Sequence, residues 1–82
     1  MTYKPVLVTW RDISTLSGWK EQDEIDTFVM DGSENIVYQV GFLYEEDELQ
    51  ICLLNSYFIG KGLLGDLTKI PKGCVIEIKN LT

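Results

Sequence analysis

Residues 36–55, IVYQVGFLYEEDELQICLLN, decide the fold that the sequence predicts. Apolar residues occupy both alternating faces of 36–44, which is typical of a strand that is covered on both sides. The acidic run 45–48 predicts a polar turn, after which 49–55 returns as an antiparallel neighbour. Gly41 interrupts the first strand and indicates a bulge or a sharp bend. The segment therefore predicts a hairpin at the centre of a sheet.

The sequence on either side of this hairpin predicts three more strands and one helical segment. Alternation predicts strands at 6–10, at 67–70 and at 74–81, and 20–26 has the amphipathic pattern of a short helix. The glycine-rich stretch 56–66 is predicted to be an interstrand loop. Helices do not alternate with the strands, which argues against a parallel sheet. The predicted core comprises Val6, Val8, Trp10, Ile25, Phe28, Val40, Phe42, Ile51, Leu53, Ile76 and Ile78.

The predicted fold is mainly β: one small domain spanning residues 1–82, with five antiparallel strands and one short helix. Such a sheet closes into a small barrel or bends strongly, because both arrangements protect its edges. The C-terminal end resembles SH3-like and Sm-like barrels, where a tight turn leads into a short final strand. This similarity concerns architecture and implies no activity.

Composition limits the compartment and the classes of partner. The chain has 82 residues and a net charge of −6, which disfavours duplex nucleic acid as a partner. Its core is barely sufficient for stability, which leaves room for self-association. The N-terminus lacks the apolar core of a signal peptide, and no apolar run approaches the ~18 residues of a membrane span. We therefore expect a cytoplasmic protein in which Cys52 and Cys74 are reduced thiols.

Gly60, Gly62 and Gly65 spell G-x-G-x-x-G, the pattern of a dinucleotide-binding loop. That loop requires a following helix, and the remaining residues are too few and include Pro71. Two interpretations stay open. The backbone beside Lys61 forms a concavity that holds a phosphate, or the stretch is a mobile connection.

The residue types that are missing argue against catalysis. The chain has no histidine, the commonest general base and transition-metal ligand, and no Cys-x-x-Cys pair for zinc. The acidic runs lack the spacing of a calcium loop. We therefore expect no enzyme activity, no cofactor and no metal site.

Three stretches carry a resemblance to known proteins: VTWRDISTLSGW (8–19), YQVGFLYEEDELQICL (38–53) and IPKGCVIEIKNL (70–81). Together they resemble small uncharacterised proteins of bacteriophages and prophages, whereas residues 55–66 depart from that pattern. Phage proteins of this size often act against host defence, and some of them sequester the nucleotide signals of bacterial immunity. The resemblance thus implies an anti-defence protein in the cytoplasm of an infected host cell.

The first functional hypothesis is a non-enzymatic sponge for a nucleotide second messenger, either a cyclic nucleotide or an ADP-ribose derivative. Trp19 or Tyr57 would stack on the base. Phosphate would be held by Arg11 and by Lys61 or Lys69, and the ribose or base edge by Asn55 or Ser56. We expect a homo-oligomer with the pocket between protomers, because so small a chain does not enclose a ligand alone.

Two alternatives remain. The protein is an interaction module whose acidic surface inhibits a host protein, or, more weakly supported, an Sm-like RNA-binding protein whose charge is unfavourable. The apolar residues of 57–64 fit self-association as well as either alternative, since exposed apolar patches usually mark interfaces.

Overall fold

The computed structural model describes residues 2–32 and 35–82, and across these ranges it contains five strands and one α-helix. In chain order the elements are β1 (Lys4–Arg11), α1 (Gln22–Met30), β2 (Ile36–Glu46), β3 (Gln50–Phe58), β4 (Leu63–Pro71) and β5 (Val75–Asn80). The 3₁₀ turns Ile59–Lys61 and Lys72–Cys74 lead into β4 and β5. All paired strands are antiparallel, in the order β4-β3-β2-β1-β5.

The prediction of a mainly β fold with five antiparallel strands and one helix is confirmed. The sheet is not closed, since β4 and β5 form its two edges. Of the two predicted arrangements, the open bent sheet is therefore the one observed. Its bending brings Ile70 of β4 and Ile78 of β5 into one apolar cluster with Val8. Register shifts at Thr9/Trp10 and at Leu43/Glu45 mark the places where bulges add twist.

Strand β2 changes partners along its length. Its pairs with β1 run from Arg11↔Ile36 to Lys4↔Leu43, and its pairs with β3 begin at Phe42↔Leu54. Gly41 was predicted to mark a bulge or a sharp bend, but the register shift lies beyond it, between Leu43 and Glu45. The absence of a side chain at Gly41 allows Leu53 of β3 to lie close to β2, since a Cβ on Gly41 would be 3.1 Å from the Leu53 Cβ atom.

The main core cluster, formed by Val6, Val8, Ile51, Leu53 and Ile70, lies on one face of the sheet. Val6, Val8, Ile51 and Leu53 are buried as predicted, and Trp10, Phe28, Phe42 and Ile78 are half-buried. Three core predictions are wrong: Ile25, Val40 and Ile76 are exposed. Three further apolar side chains are buried that were not predicted: Cys52, Leu54 and Ile70. Val40 pairs with Leu7 on the face of the sheet opposite Val6 and Val8, and α1 does not cover that face.

The helix begins and ends later than predicted, at Gln22 and Met30. The Glu24 carboxylate accepts a hydrogen bond of 3.1 Å from the Glu21 N–H, which fixes the N-terminus. Acidic residues in the first turn also suit the helix dipole. Apart from Phe28, every residue of α1 is exposed, so the helix contributes little to the core.

The predicted loop at 56–66 is wrong. Strand β3 continues to Phe58 and β4 begins at Leu63, and these two residues face each other in the ladder. Gly62 closes the turn with a φ of 63° and donates its N–H to the Ile59 carbonyl at 3.2 Å. We call residues 55–66 the arm, because this part of the hairpin extends beyond the last β2–β3 pair. The molecule is accordingly elongated, 56 × 23 × 20 Å.

Candidate functional site

Aromatic residues from three separate segments meet at the base of the arm. Tyr3 precedes β1, Tyr44 lies on β2 and Tyr57 lies on β3. The Tyr3 and Tyr57 ring centroids are 4.9 Å apart with planes at 79°, and those of Tyr3 and Tyr44 are 5.8 Å apart at 39°. Tyr57 also meets Phe42 edge to face at 5.0 Å. Such tilted arrangements are the favoured ones for aromatic pairs.

A cleft of about 330 Å³ opens between these tyrosines and the arm. Its remaining wall is apolar and comes from the arm and its turn: Phe58, Ile59, Gly62, Leu63 and Leu64. An apolar wall with a few polar groups is the usual lining of a small-molecule site. Here the tyrosine hydroxyls supply polar groups, of which the Tyr57 hydroxyl already accepts a 3.5 Å hydrogen bond from the Tyr3 N–H.

The arm has two different faces, because successive side chains of a strand point in opposite directions. Tyr57 and its ladder partner Leu64 share one face, which we call the cleft face. The open face carries Ser56, Phe58, Leu63 and Gly65. A groove of about 380 Å³ also runs along the arm, and its lining comprises Ser56, Tyr57, Phe58, Leu63, Leu64 and Gly65. The cleft and the groove therefore share four lining residues: Tyr57, Phe58, Leu63 and Leu64.

Lys61 ends the turn at the tip of the arm, and its Nζ lies 5.5 Å from the centroid of the Phe58 ring. This is within cation–π range. The Gly62 N–H is already used inside the turn, so it is not a donor for a ligand. At the tip, an anion would therefore meet the Lys61 ammonium group, while the Gly62 amide of the predicted backbone concavity is already paired.

No family model, curated protein or solved structure matches this chain. The resemblance to phage proteins therefore stays a prediction. What the protein binds has to be argued from the cleft, the arm and the charge distribution.

Arg11 and Trp19, two of the residues predicted to bind ligand, lie away from the cleft. Arg11 pairs with Ile36 at the start of β2, whereas Tyr44 is near the other end of that strand. Arg11 lines a separate pocket of about 280 Å³ with Phe28 and Asn35. Trp19 lies in the exposed segment 12–21, and its side chain is fully exposed.

The other predicted residues lie on the β3–β4 hairpin. Asn55 is exposed, Ser56 lies on the open face and Tyr57 walls the cleft. Lys69 faces Cys52 in the ladder, six residues beyond Leu63. At about 3.3 Å per residue it is roughly 20 Å along β4 from the turn, too far to share one phosphate with Lys61.

The structure thus brings Tyr57 and Lys61 to the same end of the hairpin and leaves Arg11, Trp19 and Lys69 elsewhere. Sequence reasoning missed Tyr3 and Tyr44. They are neighbours because Lys4 pairs with Leu43 in the β1–β2 ladder, which aligns the residues just beyond that pair. The available signal was that three of the four tyrosines flank or end predicted strands.

Residues 2–32 and 35–82 contain neither a cluster of metal-ligating side chains nor a long apolar helix. In those ranges no three His, Cys, Asp or Glu residues lie close enough together to hold a metal ion. No helix there is long and apolar enough to cross a membrane. Cys52 and Cys74 are free thiols, the first buried and the second half-buried against the core cluster.

Proposed function

We propose that this protein is a non-enzymatic binding protein that sequesters a nucleotide second messenger in the aromatic cleft. The observation that supports the proposal most is the meeting of Tyr3, Tyr44 and Tyr57 beside the arm. Aromatic rings bind nucleobases by stacking, largely independent of base identity. The biological role that fits the resemblance is a phage-encoded anti-defence protein in the host cytoplasm.

Charge and size favour a small nucleotide over a nucleic acid. With a net charge of −6, the chain repels a polyanion, whereas one or two phosphates need only one or two local cations. Lys61 supplies such a cation at the tip of the arm. A volume of about 330 Å³ lies at the small end of ligand pockets, which suits a nucleoside unit of a cyclic nucleotide or of an ADP-ribose derivative.

A release assay tests this proposal directly. The purified protein is incubated with a panel of cyclic nucleotides and ADP-ribose derivatives, washed, and heat-denatured, and the supernatant is analysed by mass spectrometry. Recovery of an intact nucleotide is the expected result. A degraded product would indicate an enzyme, and an empty supernatant for the whole panel would contradict the proposal.

Replacing Lys61 tests the assigned phosphate contact. A charge-assisted hydrogen bond contributes about 1.5–3 kcal/mol, so Lys61→Ala is expected to weaken nucleotide binding roughly ten- to hundredfold. The melting temperature should stay unchanged, because Lys61 is exposed. Lys69→Ala is the matched control, since it removes an exposed lysine of the same hairpin away from the cleft. Equal affinities of Lys61→Ala and the wild type in calorimetry would refute the contact.

A second candidate function is an interaction module that inhibits a host protein, and helix α1 is the observation that favours it. The helix exposes acidic Asp23 and Asp26 together with apolar Ile25 and Val29. A helix with so little of its surface covered by its own chain has the composition of a docking element. In that case Val29→Glu abolishes inhibition of the host target while no nucleotide is retained.

A further inference from the structure

Among the residues that the structure describes, the wall of the aromatic cleft has no charged side chain. It consists of three tyrosines and of apolar residues and one glycine from the arm. A charged group that moves from water to such a wall loses hydration that the wall does not replace, which costs free energy. The base and ribose of a nucleotide therefore fit inside the cleft, and its phosphate belongs at the rim.

One lysine lies at that rim. Lys61 is in the turn between Ile59 and Gly62, which are both residues of the cleft wall. Its ammonium group stays close to the wall, because the Nζ atom is 5.5 Å from the centroid of the Phe58 ring, which also lines the cleft. A phosphate at the mouth of the cleft therefore reaches a cation while the base remains between the rings.

Lys4 and Lys69 do not add to this charge. Lys4 follows Tyr3 directly, but it pairs with Leu43, which packs against the main core cluster, so Lys4 lies on the core side of the sheet. Lys69 is six residues beyond Leu63, roughly 20 Å along β4 from the turn. Lys61 is thus the cation that a ligand in the cleft would meet.

The surroundings oppose a second negative charge on the ligand. The chain has a net charge of −6, and the arm contains one acid, Asp66, besides its one base, Lys61. Asp66 is two residues beyond Leu64 of the cleft wall, roughly 7 Å along β4. This is within the Debye length of about 8 Å at physiological ionic strength. Lys61 compensates one charge, and a further charge would be placed in a negative field.

We infer that the cleft selects nucleotides with a single negative charge, namely phosphodiesters of the cyclic mononucleotide class. This selectivity rests on the proposed nucleotide binding and decides between its two ligand classes. A phosphodiester has one ionised oxygen at neutral pH, which Lys61 compensates. The pyrophosphate of an ADP-ribose derivative has two charges, and a 5′-monophosphate has a charge of about −1.5 to −2. Both leave negative charge without a partner.

Three ligands that share adenine and ribose test this selectivity by calorimetry. They are adenosine, adenosine 5′-monophosphate and the methyl ester of that monophosphate, which has one charge fewer on the same phosphate. Adenine serves as the common base because stacking depends little on base identity. We expect the methyl ester to bind roughly tenfold more tightly than either of the other two. By the same reasoning, 3′,5′-cyclic AMP should bind more tightly than ADP-ribose.

Two substitutions assign the charges. Lys61→Ala should abolish the advantage of the methyl ester over adenosine. Asp66→Asn should narrow the difference between the methyl ester and the monophosphate, and asparagine tolerates the φ of 53° at this position. Lys69→Ala is the control and should change neither difference. Circular dichroism confirms that each variant is folded.

The outcomes separate the selectivity from nucleotide binding itself. If adenosine 5′-monophosphate or ADP-ribose bound as tightly as the singly charged ligands, the selectivity would be refuted, while the proposed nucleotide binding would stand. If none of these ligands bound, the proposed nucleotide binding would fail and the selectivity with it. A preference for the methyl ester that Lys61→Ala leaves intact would also overturn the assignment of the charge to Lys61.

Discussion

The two halves of strand β3 have the same hydrogen-bonding partner and opposite surroundings. Ile51–Leu54 are four consecutive buried residues, whereas only Tyr57 is partly covered in Asn55–Phe58. Both halves pair with β4 in one continuous register. The difference is β2, which covers the edge of β3 only as far as Leu54. Pairing with β4 is enough to make both halves of β3 a strand. Only the half that also pairs with β2 is buried in the core.

The largest effect should come from truncating a leucine in the buried half. Leu53 is 1% exposed and Leu63 is 59% exposed, so they are the same residue type in the two environments. Leu53→Ala is expected to lower the free energy of unfolding by about 2–5 kcal/mol, because it removes buried methyl groups and leaves a cavity. Leu63→Ala should change it by no more than about 0.5 kcal/mol in dilute protein. Urea denaturation followed by circular dichroism measures both.

The concentration dependence of these two variants sharpens the comparison. Leu53→Ala should be destabilised equally at low and high protein concentration, because its site is inside one chain. The sequence predicts self-association through the apolar residues of 57–64, so for Leu63→Ala the loss should appear only where the wild type is associated, since linked association stabilises the folded state. Equal losses for the two variants in dilute protein would mean that the arm is packed as tightly as the core.

The buried half of β3 was predictable from sequence, and the arm was not. Residues 36–55 combine alternating apolar residues with an acidic turn, and both signals are local. In the arm, the three glycines suggested flexibility, although Tyr57 and Phe58 are good strand formers. Gly62 adopts the left-handed conformation that closes a tight turn. At this position the glycine therefore stabilises the hairpin rather than making it flexible.

The residues of the candidate site also fall into two groups, those that the sequence predicted and those that it did not. Tyr57 and Lys61 were predicted as a stacking ring and a phosphate ligand because both lie in the glycine-rich stretch 56–66. Tyr3 and Tyr44 are 41 positions apart, and only the β1–β2 register brings their rings together. Val40 shows the same limit for predicting the core. The alternating pattern predicts which face of the sheet Val40 lies on, but tertiary packing decides whether that face is covered, and Val40 is exposed.

Glycine substitutions should give the second-largest difference between the two environments. A Cβ at Gly41 would lie 3.1 Å from the Leu53 Cβ atom and 3.2 Å from the Leu54 carbonyl oxygen, whereas one at Gly73 meets nothing within 4 Å. Gly41→Ala is therefore expected to cost about 1–3 kcal/mol by overpacking. Gly73→Ala should be neutral or slightly stabilising. Thermal denaturation compares them, and a neutral Gly41→Ala would show that β3 moves freely over β2.

The smallest difference should come from the two tryptophans. Trp10 packs against the core cluster and donates its Nε1–H to the Gln39 Oε1 atom at 3.1 Å, whereas Trp19 is fully exposed. Trp10→Phe removes the donor and leaves a partly buried amide oxygen unpaired, so we expect a loss of about 0.5–1.5 kcal/mol. Trp19→Phe should leave the unfolding midpoint unchanged, because its ring makes no core contact.

Fluorescence of these two variants checks that assignment independently of stability. Trp19→Phe leaves Trp10 as the emitter, and a half-buried ring should emit at shorter wavelength and resist quenching by acrylamide. Trp10→Phe leaves Trp19, whose emission should be red-shifted and strongly quenched. Adding a nucleotide should change neither quenching profile greatly, since both rings lie outside the cleft lining. If the Trp19 ring became shielded from acrylamide only when nucleotide is bound, Trp19 would belong to the ligand site. That result would contradict the assignment of the ligand site to the aromatic cleft.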